Sequence, residues 1–288
     1  MSHYIVYTDS GCDISPQLLN EWDVGWSSLT FRFEDEEKEY TGTDMSVENF
    51  YDRMRRGGVA KTAAINIGNF YDAFEAILQQ GMDILYLGFS SALSTTYNSA
   101  VIASQQLLAQ YPQRRIITVD SLGASAGQGL MVYLANEKRK SGASLDETAA
   151  YIEKIRPQIC HWFTVDDLEY LKRGGRVNPA VALVGNMLGI KPVLHVDNEG
   201  RLVNESKIRG RKKAMEALAE KYAEFAVRPE SGTVFISHSD CREDANMLAN
   251  LLHERHKVHV ELITDIGTVI GAHTGPGTVA LFFVGKER

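Results

Sequence analysis

The chain of 288 residues has few cysteines, few prolines and no excess of basic residues. Its cysteines, Cys12, Cys160 and Cys241, are far apart and form no C-x-x-C pair, so a disulfide framework or a structural zinc site is not expected. Thirty Lys and Arg residues against 37 Asp and Glu residues give a formal net charge of -7. That balance argues against a general nucleic-acid-binding protein.

Long apolar runs and nucleotide-binding motifs are also missing. No window approaches the ~20 apolar residues needed to span a bilayer. The first residues, MSHYIVYTDS, lack the basic flank and the longer apolar run of a signal peptide. No G-x-x-x-x-G-K-[ST] motif occurs. We therefore expect a reduced, cytoplasmic protein with no stable membrane insertion and no nucleotide site of its own.

Short apolar runs alternate with helical patterns along the whole chain. The predicted strands are YIVYTDS, WSSLTFRF, DILYLGFS, RRIITVDS, CHWFTVDD, IKPVLHV, TVFISHSD, HVELITDIG and VALFFVG. This alternation predicts an α/β fold with a largely parallel sheet. The sequence pattern changes after a long helical stretch, near residues 157–165, which predicts two α/β domains, 1–160 and 161–288. A cleft between domains is a favoured place for a ligand.

The stretch DILYLGFSSALSTTYNSA, residues 83–100, allows two functional interpretations. The letters GFSSA nearly form the nucleophile elbow of a serine hydrolase, with Ser90 followed in the chain by Asp240 or Asp265 and then by His273. However, Ala92 occupies the place of the second glycine, and Ser90 is one of several neighbouring hydroxyl residues. The hydrolase is therefore the disfavoured alternative.

The second interpretation is a site for an anion at a helix N-terminus. A helical pattern begins near Ser94, which is the expected N-cap, with Thr95 and Thr96 in the first turn and Ser91 just before it. Because the stretch holds no Lys or Arg, a single carboxylate fits it better than a polyphosphate. Simple helix capping without any ligand explains this stretch equally well.

Other segments add candidate residues. Thr62 is expected in a loop before a helix that starts near Gly68, and His273 is expected in a glycine-rich turn between two apolar runs. Two basic, glycine-containing patches favour docking of an anionic partner, although a solvated charged face explains each patch as well. Their residues are Lys172, Arg173, Arg176, Lys207, Arg209, Arg211, Lys212 and Lys213.

Taken together, these segments resemble the DegV family, the fatty-acid-binding proteins of bacteria. The matching pieces run in order along the chain: YTDSGCDIS, KTAAINIGNF, GFSSALSTTYNSA, VDSLGASAGQGLMV, LEYLKRGGRV, IKPVLHVDNEGRL, KIRGRKKA and GAHTGPGTVAL. The resemblance implies two α/β domains with a ligand tunnel between them and one long-chain fatty acid in the tunnel. It also implies an acyl-carrying subunit that presents the acid to a separate, ATP-binding fatty acid kinase subunit, which makes acyl phosphate for phospholipid synthesis.

The resemblance assigns roles to particular residues. Thr62 and Ser94 match the residues that hydrogen-bond the carboxylate, and His273 matches a histidine at the mouth of that site. Arg209 matches an arginine at the kinase-docking surface. Arg173 and Arg176 fall in the family's basic glycine turn, which we group with the partner-binding residues. The resemblance implies neither a catalytic residue nor a cofactor in this chain; a lipid sensor without a kinase partner is the alternative.

Two departures from the family pattern lie beside the expected site. Ala63-Ala64-Ile65 stands where the family usually has Ser-Gln-Pro, which removes a hydroxyl and a rigid turn. Thr95 stands where a glycine usually follows the serine, which adds a β-branched side chain near the carboxylate.

Overall fold

A computed structural model of the protein describes residues 4–176 and 189–288. Within these ranges the strands, labelled β1 to β13 in chain order, are Tyr4–Asp9, Val24–Ser27, Thr30–Phe33, Tyr40–Thr41, Ala60–Ala63, Asp83–Gly88, Ile116–Asp120, Ile159–Thr164, Ile190–Val196, Leu202–Arg209, Val234–His238, Leu262–Asp265 and Val279–Val284. The α-helices, labelled α1 to α10 in the same way, are Pro16–Glu21, Val47–Arg55, Ile67–Gln79, Thr96–Gln110, Ser125–Lys140, Leu145–Ile155, Glu169–Gly174, Arg211–Phe225, Arg242–His256 and Thr268–Thr274. None of these helices combines the length and the apolar character needed to cross a membrane.

The first sheet is parallel, with the strand order β2-β1-β6-β7. The central strands of this sheet have continuous apolar sequences, because helices cover both faces of the sheet. On one face, Tyr86 packs with Phe70 and Phe74 of α3. On the other face, Leu85 belongs to the same apolar core as Leu130 of α5.

The second sheet is mixed, with the strand order β10-β9-β8-β13-β11-β12. Only the β11–β12 pair is parallel; the other described pairs are antiparallel. The prediction of a largely parallel sheet is therefore right for the first sheet and wrong for the second. A tight turn at Asp197–Arg201 joins β9 to β10, and such a short connection can join only antiparallel strands.

A third, small antiparallel sheet, β4-β3-β5, carries Thr62 opposite Phe31. The predicted strand WSSLTFRF is in fact two strands in different sheets, since the chain leaves the parallel sheet after Ser27 and enters the small sheet at Thr30. Thr62 consequently lies in a strand, not in the expected loop. The helix that follows begins at Ile67, with Asn66 as its N-cap.

Apolar residues at three- and four-residue spacing predict seven helices, and all seven are present as α2 to α6, α8 and α9. The predicting segments are VENFYDRMRR, NFYDAFEAILQQ, NSAVIASQQLLAQ, GQGLMVYLANEKRK, LDETAAYIEKIR, RKKAMEALAEKYAEF and CREDANMLANLLHER. The short helices α1, α7 and α10 were not predicted, and α10 places His273 in a helix instead of a glycine-rich turn. Helices of six or seven residues give fewer than two full turns of periodicity, so their pattern is weak.

Helix α5 lies between the two large sheets and packs against strands of both. Ten of its sixteen residues are buried, including Gly127 and Gly129, which allow close approach. The strands of the parallel sheet all precede residue 121, and those of the six-stranded sheet begin at Ile159. The division into domains 1–160 and 161–288 remains a prediction.

Candidate functional site

A cavity of about 440 Å³ lies between the carboxyl edge of the parallel sheet and the six-stranded sheet. Its size falls within the range of ~300–1,000 Å³ that is usual for small-molecule sites. The lining residues come from both predicted domains: Leu29, Thr62, Ala63, Ala64, Phe89, Ser91, Ala92, Leu93, Ser94, Thr95, Ala124 and Ser125 from the first, and His161, Phe163, Leu171, Arg176, Val196, Leu202, Ile266, Val269, Ile270, His273, Thr274, Thr278, Ala280 and Phe282 from the second.

Thr62 and His273 meet in the wall of this cavity, in a region that we call the mouth and define by Thr62, Ser94 and His273. The hydroxyl of Thr62 and Nε2 of His273 are 2.8 Å apart and form a hydrogen bond between β5 and α10. Burial, with a smaller contribution from the positive charge of Arg176, lowers the pKa of His273 to about 4. His273 is therefore neutral near pH 7, and its buried Nδ1 has no hydrogen-bond partner among the described residues.

Ser94 stands just before α4, but it is not the N-cap. The helix begins at Thr96, and its N-cap is Thr95, whose side chain makes no capping bond. The Ser94 hydroxyl instead accepts from the backbone N–H of Thr96 at 3.2 Å and lies 2.9 Å from the Thr96 hydroxyl. The prediction of Ser94 as the cap was wrong because the turn runs one residue further before helical geometry starts.

Thr96 connects the two polar segments of the mouth. Its buried side-chain oxygen accepts from the backbone N–H of Ile65, at a distance of 3.4 Å. Ile65 follows β5, so this bond holds the segment after Thr62 against the start of α4. Sequence reasoning placed Thr96 in the first helical turn but did not predict this connection, which depends on the tertiary fold.

The remaining predicted ligand residues line the same cavity. Ser91 and Thr95 are both exposed. The backbone N–H of Ser91 donates to the carboxylate of Asp120, 3.2 Å away. The departures from the family pattern, Ala63, Ala64 and Thr95, also line the cavity.

The predicted partner-binding arginines have different surroundings. Arg176 lines the cavity, and its Nε donates to the carbonyl of Leu93, at 3.2 Å. Arg173 is exposed, with its guanidinium 5.4 Å from the ring centre of Tyr170. Arg209 is exposed at the end of β10. Arg176 thus belongs to the cavity as well as to the basic glycine turn.

The residues of the hydrolase alternative are dispersed. Ser90 is fully buried, and its hydroxyl donates to the carbonyl of Gly200. Asp240 pairs with Arg55, and Asp265 lies 3.5 Å from His238. Among the described residues, no hydrogen bond joins Ser90 to a histidine. The geometry therefore does not assemble a serine–histidine pair at GFSSA.

Four polar residues of the cavity wall were not predicted: Ser125, His161, Thr274 and Thr278. His161 lies within the apolar run CHWFTVDD, which predicts a strand but gives no sign of which face the histidine occupies. The hydroxyl of Ser125 lies 2.9 Å from that of Ser237, across the interface between α5 and the six-stranded sheet. The sequence leaves Phe70, Phe74, Ile77 and Met187 as either tunnel wall or ordinary core and favours core. Phe70, Phe74 and Ile77 belong to the core, and Met187 lies outside the described residues.

Comparison with known proteins identifies the family. The model of the DegV family, described as uncharacterised, matches residues 4–286. A DegV domain-containing protein of Clostridium perfringens is 42% identical over 289 residues, covering 100% of this chain and 99% of that protein. These similarities extend over both large sheets and the cavity between them.

Two solved structures share the architecture. One shows fatty acid binding by a DegV family protein from Thermus thermophilus: it is 29% identical, has a TM-score of 0.88, and the match covers 98% of this chain and 99% of that one. The other is a stearic acid-binding protein from Eubacterium ventriosum, with 25% identity, a TM-score of 0.88 and 98% of each chain covered. The fold predicted by resemblance is confirmed, and the chain belongs to the DegV family.

Proposed function

We propose that this protein binds one long-chain fatty acid, with the acyl chain in the cavity and the carboxylate at the mouth. The observation that carries the proposal is a cavity whose lining combines a group of hydroxyl side chains with a larger set of apolar ones. The apolar wall includes Leu29, Phe89, Phe163, Ile266, Val269 and Phe282. Each buried CH₂ contributes about 0.8 kcal/mol, so a long chain supplies most of the affinity.

The mouth suits a carboxylate. Ser94 and Thr62 supply hydroxyl donors, and the start of the 15-residue helix α4 supplies unpaired N–H groups and a partial positive charge. Neutral His273 stands behind Thr62, where it orients the threonine hydroxyl. Fatty acid binding by relatives of the same fold supports this choice of ligand.

We further propose that the bound acid is presented to a separate, ATP-binding kinase subunit. That subunit transfers the γ-phosphoryl group of ATP to a carboxylate oxygen, which yields acyl phosphate for phospholipid synthesis and releases ADP. Support comes from exposed cations at the end of β10 and the start of α8. The side chains of Lys207, Arg209, Lys212 and Lys213 form no ion pair with any described residue, so they are available to an anionic partner.

Lipid extraction tests the binding step. The purified protein would be delipidated, reloaded with mixed fatty acids and extracted for mass spectrometry, beside Ser94→Ala and the control Ser99→Ala in the following helix, α4. We expect a near-stoichiometric fatty acid in the wild type and in Ser99→Ala. In Ser94→Ala, the loss of one buried hydrogen bond worth roughly 1–3 kcal/mol predicts binding ~5- to 150-fold weaker. No bound acid in the wild type, together with ester hydrolysis abolished by Ser90→Ala, would instead favour the hydrolase.

Reconstitution with a kinase subunit tests the second step. We expect acyl phosphate from the wild type and a large loss in Arg209→Glu, with lipid binding unchanged. Arg255→Glu is a matched control, because Arg255 is an equally exposed arginine on α9. Retained lipid binding with no phosphorylation of the wild type would favour a lipid sensor that has no kinase partner.

A further inference from the structure

Asp13 connects the parallel sheet to the segment that carries His273. It lies in the turn after β1, with a left-handed φ of 52°. Its carboxylate oxygen Oδ1 accepts from the backbone N–H of Gly267, 2.9 Å away, and its backbone carbonyl accepts from the hydroxyl of Thr264, also at 2.9 Å. Thr264 lies in β12, and Gly267 is the N-cap of α10. Asp13 therefore holds the start of α10 from a turn that lies 254 residues earlier in the chain.

The position of α10 affects the mouth directly. Four of its seven residues line the cavity: Val269, Ile270, His273 and Thr274. His273 also forms the hydrogen bond to Thr62 of β5. A helix of seven residues has few internal hydrogen bonds, so its placement depends on contacts with its neighbours. Gly267 has no side chain that could form a capping bond, and the carboxylate of Asp13 is the side-chain acceptor that meets this end of the helix.

Asp13 is buried directly behind the cavity wall. It is 7% exposed, and its carboxyl group contacts Ser125, which lines the cavity. Burial raises the pKa of Asp13 to about 7, the hydrogen bonds from Ser125 and Gly267 lower this pKa, and the negative charges of Asp265 and Asp9 raise it. Oδ1 can accept from Gly267 in both protonation states of the carboxyl group. Buried carboxyl groups with a shifted pKa beside a cavity occur preferentially at functional sites.

The titratable neighbours of Asp13 can be told apart from it. The groups that interact with its charge include Asp9, Cys12, Tyr51 and Asp265. Burial raises the pKa of Cys12 and of Tyr51, so both stay protonated at neutral pH. Burial lowers the pKa of His238, which lies next to Asp265. Because the amide of Gly267 bonds directly to Asp13, its resonance reports the titration of Asp13 itself.

We propose that Asp13 is a positioning residue for the mouth: its carboxyl group fixes the start of α10, and α10 in turn holds His273 against Thr62. The inference rests on the proposed fatty acid binding and adds a residue that acts on the site without touching the ligand. If the start of α10 were released from Asp13, His273 could move away from Thr62. The mouth would then have to be ordered when the ligand binds, which weakens binding.

Two substitutions of Asp13 test this role, with stearic acid affinity measured by calorimetry on the delipidated proteins. Asp13→Gly removes the carboxyl group without straining the left-handed backbone, and Asp13→Asn keeps an oxygen that can accept from Gly267. We expect Asp13→Gly to bind about tenfold more weakly than the wild type, and Asp13→Asn to bind within about twofold of it. The matched control is Asp23→Gly, which should bind like the wild type. Asp23 has a similar φ of 56°, but its side chain is exposed and pairs with Arg139.

The pKa of His273, measured by NMR without ligand, separates positioning from general stabilisation. This pKa is about 4 in the wild type. In Asp13→Gly it should rise towards 6.5, because a displaced α10 lets water reach the imidazole. In Asp13→Asn and Asp23→Gly it should stay near 4. A substitution that merely lowers the free energy of unfolding would leave the pKa of His273 unchanged.

The outcomes distinguish this inference from the proposed function. If Asp13→Gly binds stearic acid as tightly as the wild type and His273 keeps its pKa, the role of Asp13 is wrong and fatty acid binding stands. If the wild type binds no acid, the proposed function is wrong, and the pKa of His273 in Asp13→Gly still decides whether Asp13 positions α10. If Asp13→Gly fails to fold, the wild type gives the answer. Its Gly267 amide and His273 ring resonances should shift together with a midpoint near pH 7, the pKa of Asp13, and His273 resonances that do not follow this titration overturn the proposal.

Discussion

Two histidines line the same cavity, and they are held in different ways. His273, at the mouth, bonds through Nε2 to the side chain of Thr62, and its Nδ1 has no hydrogen-bond partner within residues 4–176 and 189–288. His161, in the wall, bonds through Nδ1 to the backbone of Ile159, and its Nε2 has no partner within the same ranges. Burial lowers the pKa of both, so both rings are neutral.

The difference lies in what each ring can do when a ligand arrives. A side-chain hydroxyl rotates, so Thr62 can turn from His273 towards a carboxylate without moving the backbone. The carbonyl of Ile159 belongs to a central strand and keeps the His161 ring in one orientation. The mouth is therefore adaptable, while the wall at His161 is a fixed template.

The rigidity of the wall predicts the largest effect. In Gly127→Ala, the new Cβ would lie 2.2 Å from Nε2 of His161 and 2.7 Å from a ring carbon of Phe282. Neither α5 nor β8 can move away easily, because each is packed on both sides. We expect the free energy of unfolding to fall by about 3 kcal/mol, measured by urea denaturation.

Gly68→Ala is the control for this change. Gly68 is an exposed glycine within α3, and a Cβ there would meet nothing closer than 3.4 Å. Alanine should stabilise this helix by roughly 0.5–1 kcal/mol. If Gly127→Ala were as well tolerated as Gly68→Ala, the wall would not be the fixed template that we describe.

Protonation of His273 predicts the next largest effect. Its pKa is about 4 in the folded protein, against 6.5 for an ordinary histidine. As the pH falls from 6.5 towards 4, the unfolded chain binds a proton that the folded chain does not, so acid destabilises the fold. Between pH 7.5 and pH 5, this group should remove about 2 kcal/mol from the free energy of unfolding.

The variant His273→Gln isolates that contribution, because glutamine can still bond to Thr62 but does not titrate. We expect urea denaturation at the two pH values to show ~2 kcal/mol less pH dependence in the variant than in the wild type. Equal pH dependence in both proteins would show that His273 is not held neutral by burial.

The third and smaller predicted effect follows from substitution of Thr62 at the mouth. Thr62→Val keeps the shape of the side chain but removes the hydroxyl, which leaves Nε2 of His273 without its partner. We expect the free energy of unfolding to fall by about 1.5 kcal/mol and the fatty acid affinity to fall as well. Thr62→Ser keeps the hydroxyl and should retain most of both. A serine variant as weak as the valine variant would mean that packing of the methyl group, not the hydrogen bond, matters here.

The sequence predicts the elements of this fold better than the mouth and the wall that they build. Apolar spacing located the long helices, and short Val- and Ile-rich runs located the central strands. β10 was missed because its residues alternate between half-buried and exposed in LVNESKIR, with no continuous apolar run. β5 was missed because it is a four-residue strand with only one buried side chain.

The residues of the candidate site also divide into those that the sequence identifies and those that only the tertiary structure reveals. Thr62, Ser94 and His273 could be named from local motifs and from resemblance, and the fold brings all three to one cavity. His161 could not be named, because its place in the cavity wall depends on packing against two glycines 34 and 38 residues earlier in the chain. The orientation of a strand's side chain towards a distant helix start is a tertiary property, and no periodicity within CHWFTVDD records it.

The smallest predicted effect concerns the charge at the mouth. Arg176 is exposed, so Arg176→Gln should change the free energy of unfolding by no more than ~0.5 kcal/mol. Its positive charge nevertheless contributes to the lowered pKa of His273, so the pKa should rise when that charge is removed. A histidine titration followed by NMR measures this rise. Arg173→Gln is the control, since Arg173 lies over Tyr170 and does not line the cavity. If the pKa of His273 rose more in Arg173→Gln than in Arg176→Gln, the charge that lowers this pKa would belong to Arg173, and the prediction would be wrong.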